Sequence, residues 1–122
     1  MRSILIIISI LSLLTNISIA TETNDTQTRL LNSTEINQQL QNLPGWTTNG
    51  KQLSRTFQFK NFVEAIDFVN LLVEPAQTAR HHPDISISYH RVTISLTTHD
   101  AGGLTQQDFA LAKKISQLAQ TE

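Results

Sequence analysis

The stretch DISISYHRVTISL, residues 84–96, decides the fold. Ile85, Ile87 and Tyr89 put apolar side chains at odd positions, whereas Val92, Ile94 and Leu96 put them at even ones. Side chains alternate across a strand, so a slip of one residue sends every one of them to the other face. A single long strand with one buried face cannot carry both phases. Two strands meeting at a turn around His90-Arg91 can. With the aliphatic face turned inward, Thr93, Ser95, Thr97 and His99 share the polar face, and His99 stands at the strand's end.

Further strands and helices fall into place on either side. In QLSRTFQF, residues 52–59, Leu53, Arg55, Phe57 and Phe59 share a face, and Asn49-Gly50 is a two-residue hairpin turn leading back to a short strand at residues 46–48. Three helices carry the same start signal, a capping residue followed three positions later by an acid. Asn32 and Glu35 open the first, with Leu31 stapling to Ile36, and it runs to about Leu43, before Pro44 and Gly45. Asn61 and Glu64 open the second, where Phe62, Ala65, Ile66, Val69, Leu72 and Val73 recur at helical spacing. Pro75 is expected to kink or end that helix, leaving residues 76–80 as a separate turn. Thr105 and Asp108 open the third, with Leu104 stapling to Phe109 and Leu111, Ile115 and Leu118 lining one side. The order helix, two strands, helix, two strands, helix predicts an α+β fold, a four-stranded antiparallel sheet with three helices on one face.

The chain is 122 residues long and has no cysteine, so an independent domain must stand on its core without disulfides. Residues 1–20 read as a signal peptide: one charge at Arg2, an apolar run from Ile4 to Leu14, then Ser18-Ile19-Ala20 with small residues at the cleavage positions. An uncleaved membrane tether is the alternative reading. Residues 21–30 are polar and without period, a flexible leader, and residues 31–122 are the domain. After cleavage eight Lys and Arg face ten Asp and Glu. A mildly acidic domain of this kind excludes an electrostatic footprint for nucleic acid and, once the leader is gone, gives no reason for membrane binding.

All four histidines, His81, His82, His90 and His99, fall within residues 81–99. Imidazole exchanges a proton near neutral pH, so a cluster of this density has three readings from pattern alone: acid–base chemistry, a metal site, or solvated surface residues with no shared role. Against a metal, the helical His-x-x-x-His spacing is missing and no cysteine or nearby carboxylate completes a ligand set. Pro83 holds His82 extended, and adjacent side chains in extended backbone diverge, so one site uses both His81 and His82 only if the chain turns there. His90, in the expected turn, reads as solvated.

The segment HHPDISISYHRVTISLTTHDAGGLTQQD, residues 81–108, resembles the signature of the pterin-4a-carbinolamine dehydratases. In that signature a His-His-Pro is followed after five residues by an aromatic, after nine more by a His, and eight or more later by an Asp. Here these are His81-His82-Pro83, Tyr89, His99 and Asp108. LPGW at residues 43–46 and FQFKNFVEAIDFVN at residues 57–70 resemble other familiar stretches of the family. The resemblance implies an α-β-β-α-β-β-α fold and removal of water from a 4a-hydroxytetrahydropterin to give the quinonoid dihydropterin, with no metal or other cofactor. It implies His81, His82 and His99 as the catalytic trio, with His81 and His99 moving protons and His82 orienting the pterin, and Gln77 and Asp100 as substrate contacts. Trp46, an aromatic suited to a flat heterocycle, either walls the pterin pocket as a further substrate contact or is a core tryptophan at a strand start. Asp108, Thr105 and Pro83 are expected to be structural, and Tyr89 to pack in the core or between subunits. Homodimers or homotetramers are implied as well. Gln77 stands where the family usually has an acid, Pro75 interrupts a helix that normally runs on, and an export signal is unusual for pterin recycling. A non-catalytic binding, assembly or dimerisation role on the same fold is the competing function.

Overall fold

Where each apolar pattern breaks, an element ends. The computed structural model describes residues 23–120, and the expected signal peptide lies outside them. In chain order the elements are α1 (Thr23–Thr28), α2 (Ser33–Leu40), β1 (Thr47–Thr48), β2 (Leu53–Gln58), α3 (Phe62–Leu71), α4 (Val73–Ala79), β3 (Asp84–Ser88), β4 (Arg91–Leu96) and α5 (Gln106–Ala119), with a 3-10 turn at His99–Ala101. The four strands form one antiparallel sheet in the order β1-β2-β4-β3. No described helix is long and apolar enough to cross a membrane.

The phase change in residues 84–96 is a hairpin. Ser88 pairs with Arg91, Ile87 with Val92 and Ile85 with Ile94, so the odd apolar positions of β3 share a face with the even ones of β4. The turn is Tyr89-His90, one residue earlier than expected, and Tyr89 takes a positive φ of 54°. Tyr89 therefore belongs to neither core nor strand and is 66 % exposed.

Across the sheet Leu53, Arg55 and Phe57 of β2 register with Leu96, Ile94 and Val92 of β4. Leu53, Phe57, Val92, Ile94 and Leu96 are buried beneath the helices. The opposite face is hydroxyl-rich, with Thr56 Oγ1 2.9 Å from Thr93 Oγ1. Phe68 of α3 is fully buried and sits with ring centroids 5.0 Å from Phe57 and 4.9 Å from Phe59. This corrects the face expected of the helix: Phe68, outside that pattern, is buried with Ala65 and Leu72, whereas Phe62 and Val73 stand 51 % and 59 % exposed.

The capping signals hold. Asn32 Oδ1 accepts from Glu35 N–H and Glu35 Oε2 from Asn32 N–H, a complete box, and Leu31 and Ile36 are both buried. Asn61 Oδ1 caps Glu64 N–H, but the return bond from Glu64 goes to Lys60 N–H. The first long helix ends at Leu40, three residues short of Leu43. Pro75 does not mark the break itself. It is buried in the first turn of α4, where a missing N–H costs nothing because the first turn's N–H groups have no partner within the helix. The break falls upstream at Leu72.

Two further expectations are corrected. The Asn49-Gly50 turn belongs to a four-residue loop, since Thr48 pairs with Leu53; Asn49 Oδ1 accepts from the N–H groups of Lys51 and Gln52 at 3.0 and 2.9 Å, and Gly50 supplies a φ of 92°. The aperiodic leader contains α1, after which Arg29 makes a 2.7 Å ion pair with Glu35. The Arg29 guanidinium, by hydrogen bond and charge, holds the Glu35 carboxyl below the usual carboxylate range.

Candidate active site

The site forms where three chain ends meet: the end of α4, the loop after β4 and the first turn of α5. Helix α4 stops in a Schellman motif. His81 N–H donates to Ala76 O at 3.1 Å, Arg80 N–H donates to Gln77 O at 3.2 Å, and Arg80 takes the left-handed conformation with φ 51°. That turn swings His81-His82-Pro83 away from the helix axis. After β4, Thr98 N–H donates to Gly103 O at 2.9 Å, which closes a loop around the 3-10 turn that carries His99 and Asp100. Gly102 makes that closure at φ 77°. His99 is thus on a turn beyond the strand, a correction to its expected place at the strand's end.

His81 and Asp108 make the central contact. His81 is 9 % exposed and Asp108 fully buried, and His81 Nε2 lies 2.6 Å from Asp108 Oδ1. A carboxylate only accepts, so Nε2 carries the hydrogen and Nδ1 is left as an acceptor with no hydrogen-bond partner among the described residues. The other oxygen, Asp108 Oδ2, accepts from Thr105 N–H at 2.9 Å and from the Thr98 hydroxyl at 2.8 Å. Thr105 Oγ1 in turn bonds Thr98 Oγ1 at 2.8 Å and accepts from Gln107 N–H at 3.3 Å. Asp108 and Thr105 do cap α5, as expected. The correction is that Asp108 is more than a cap, since the same carboxylate fixes a ring in the site.

His82 is exposed, and its Nε2 lies 2.5 Å from Gln77 Oε1. An amide oxygen only accepts, so Nε2 is the protonated nitrogen and Gln77 sets the tautomer of this ring. His81 and His82 diverge as adjacent extended residues should, one toward α5 and the other toward α4, yet both border the same space. A hollow of about 290 Å³ is lined by His81, His82, His99, Arg80, Asp100 and Gln107, together with Thr97 and Thr98. His81 forms its buried floor, while His82, His99, Arg80 and Asp100 form an exposed rim. Pro83 lies beyond His82, on an adjoining apolar recess of about 200 Å³ that His82 and Gln77 line together with Val69, Leu72 and Ile85. Among the described residues no three His, Cys, Asp or Glu side chains are grouped so as to hold a metal ion.

Trp46 does not line the hollow. It is 4 % exposed in the core, edge-on to Phe57 with centroids 6.2 Å apart, and its Nε1–H donates to Ser116 Oγ at 2.8 Å. Gln77 reaches the site through His82 and is absent from the lining of the hollow. Asp100 is part of that lining. His90 is half-buried in the β3–β4 turn with Nδ1 unpartnered, apart from the other three. Thr98 and Arg80 had no sequence signal as site residues. Their places come from the loop closure and the helix end.

An open antiparallel sheet backed by helices, with three imidazoles around one hollow, defines a class of small α+β domains. The chain belongs to the pterin 4 alpha carbinolamine dehydratase family, whose model matches residues 29–118. A relative from Cyanothece sp., named "Putative pterin-4-alpha-carbinolamine dehydratase", is 60 % identical over 91 residues, 75 % of this chain and 94 % of that protein. A crystal structure described as a transcriptional coactivator/pterin dehydratase from Brucella melitensis superposes with a TM-score of 0.70 at 34 % identity, covering 73 % of this chain and 97 % of that one. A pterin dehydratase-like protein described as a RuBisCO assembly factor in the alpha-carboxysome matches with a TM-score of 0.51 at 21 % identity, over 61 % of this chain and 86 % of that one. That last likeness concerns the fold alone.

Proposed function

We propose that this protein dehydrates 4a-hydroxytetrahydropterins to quinonoid dihydropterins, with His81, His82 and His99 acting on a pterin in the hollow they line. The supporting observation is that residues 18 positions apart in sequence, His81 and His99, border one space with His82, and that His81 is anchored by a buried carboxylate. The C4a hydroxyl leaves only when protonated, and a ring nitrogen gives up its proton as the new double bond forms. The leaving group takes one proton from an imidazolium, and a neutral imidazole takes one from the ring, so the pair ends with its total proton count unchanged and water is released. His81, with Nδ1 free and Nε2 tied to Asp108, is suited to take a proton; the carboxylate balances the charge the ring then acquires. His99 is the second proton-transfer group. His82, its tautomer set by Gln77, orients the substrate. Asp100 offers a carboxylate to the amino-pyrimidine edge of a pterin, which presents adjacent N–H donors.

The test is the rate of quinonoid dihydropterin formation from freshly generated carbinolamine. Wild type should exceed buffer clearly, and His99→Ala should fall by about 10²–10⁴-fold, the usual contribution of a positioned acid or base. A wild-type rate equal to buffer contradicts the proposal.

A homo-oligomer is part of the same reading. Strand β3 is an edge strand carrying Ile85 and Ile87, each 39 % exposed, beside Tyr89. An unpaired edge with apolar side chains is a template for pairing, and a second copy of the chain is the partner proposed. Ile87→Lys is expected to shift the species seen by light scattering toward monomer; an unchanged mass would exclude this edge. Residues 1–20 are proposed to direct export. Mass spectrometry of the exported protein should find Thr21 as the first residue, and a retained leader would mean a tether instead.

A further inference from the structure

We propose that Arg80 makes the hollow selective for pterins whose C6 substituent carries a negative charge, a carboxylate or a phosphate. This rests on reading the hollow as a pterin site.

Three observations carry it. The first is conformational. Arg80 occupies the left-handed position of a helix-terminating motif, at φ 51°, where glycine or asparagine is the usual occupant and a side chain with a Cβ is disfavoured. Backbone in sparsely populated regions clusters at functional sites, and this residue lies against one. The second is the absence of a partner. Arg29 is paired with Glu35, and Arg55 lies over the Phe57 ring and donates to Ser116 Oγ. Arg80, like Arg91, makes no side-chain hydrogen bond or ion pair among the described residues, and of the two only Arg80 lines the hollow, beside the Asp100 carboxylate. Its five donors find no partner among those residues. The third is space. At about 290 Å³ the hollow lies at the small end of ligand sites and has room for a bicyclic ring. A substituent that reaches the rim meets Arg80 and His82, which stand exposed there. Asp100, the one carboxylate of the lining, suits the donor edge of the ring and leaves the guanidinium for an anion on the substituent.

Fluorescence titration of the full-length protein with pterin-6-carboxylate, 6-hydroxymethylpterin and 6-hydroxymethylpterin phosphate tests this without relying on turnover. Wild type should bind one or both anionic pterins about three- to tenfold more tightly than the neutral one, with the margin shrinking as salt is raised. Whichever anion benefits identifies the source of the charge. Arg80→Asn, which suits the left-handed backbone and removes the cation, should bring the affinities together, and Arg80→Lys should keep most of the preference. Equal affinities in wild type, or a preference that survives Arg80→Asn, would overturn the inference while leaving the pterin site intact. Failure of all three pterins to bind would overturn both.

Discussion

Replacing Asp108 by asparagine is expected to lower dehydration by about 10³–10⁴-fold, the loss that tautomer reversal causes at a carboxylate-oriented histidine. Asp108 is fully buried and surrounded by donors: Thr105 N–H, the Thr98 hydroxyl and His81 Nε2–H. Asparagine keeps one acceptor and replaces the other by an amide donor. If its oxygen stays on Thr105 N–H, its NH₂ faces His81, and that contact is satisfied only if Nε2 gives up its hydrogen and Nδ1 takes it. The nitrogen left for the substrate then donates where it formerly accepted. The helix cap survives in part, so stability should fall by only about 1–3 kcal/mol, as expected for a disrupted buried polar contact. A variant that melts near wild type but has lost most of its kcat separates the orienting role from the capping role. Unchanged kcat would mean that Asp108 is a cap and nothing more.

The second large effect is on stability. Phe68→Ala should cost about 3–5 kcal/mol, because the removed ring is fully buried between Phe57 and Phe59 and its neighbours are held by the sheet. Total stability of a domain this size is about 5–15 kcal/mol, so the variant should stand near the edge of folding. At roughly 4–8 °C per kcal/mol, its Tm should drop by well over ten degrees. A shift of only a few degrees in thermal unfolding would mean that the ring is not at the centre of the core. The effect should reach the site as well, since α4, which ends at Arg80 and leads into His81 and His82, follows α3 after the break at Leu72.

Most of the fold was legible because local signals agreed with one another. Capping pairs at Asn32–Glu35, Asn61–Glu64 and Thr105–Asp108 marked helix starts, and the apolar phase change in residues 84–96 marked a hairpin. The errors lie where a local signal has more than one physical solution. A proline is as comfortable in a helix's first turn as beyond its end, so Pro75 left the break at Leu72 unlocated. Asn-Gly serves in a longer loop as well as a tight turn, and here the Asn49 side chain organises four residues. Tyr89 kept the alternation of β3 by parity, but the turn claimed it.

For the site, the histidine trio followed from the family resemblance, and its three members line one hollow. The roles of their neighbours were harder to read. Trp46 fits a flat heterocycle and a core equally well as a residue type, and only packing against Phe57 and Ser116 decides for the core. The capping box at Thr105–Asp108 fully explained an aspartate in that position, and this masked its second oxygen's contact with His81. Arg80 was invisible because its importance comes from a backbone conformation that adjoining residues impose.

The central claim is that His81 and His99 work on one substrate in one hollow. The most direct measurement is kcat/KM for dehydration in wild type, His81→Ala, His99→Ala and the double variant. Groups that act as a unit are strongly non-additive, so the double variant should be little slower than the worse single one. Independent multiplication of the two losses would contradict a shared proton-transfer step, and wild-type rates in either single variant would contradict catalysis by these imidazoles.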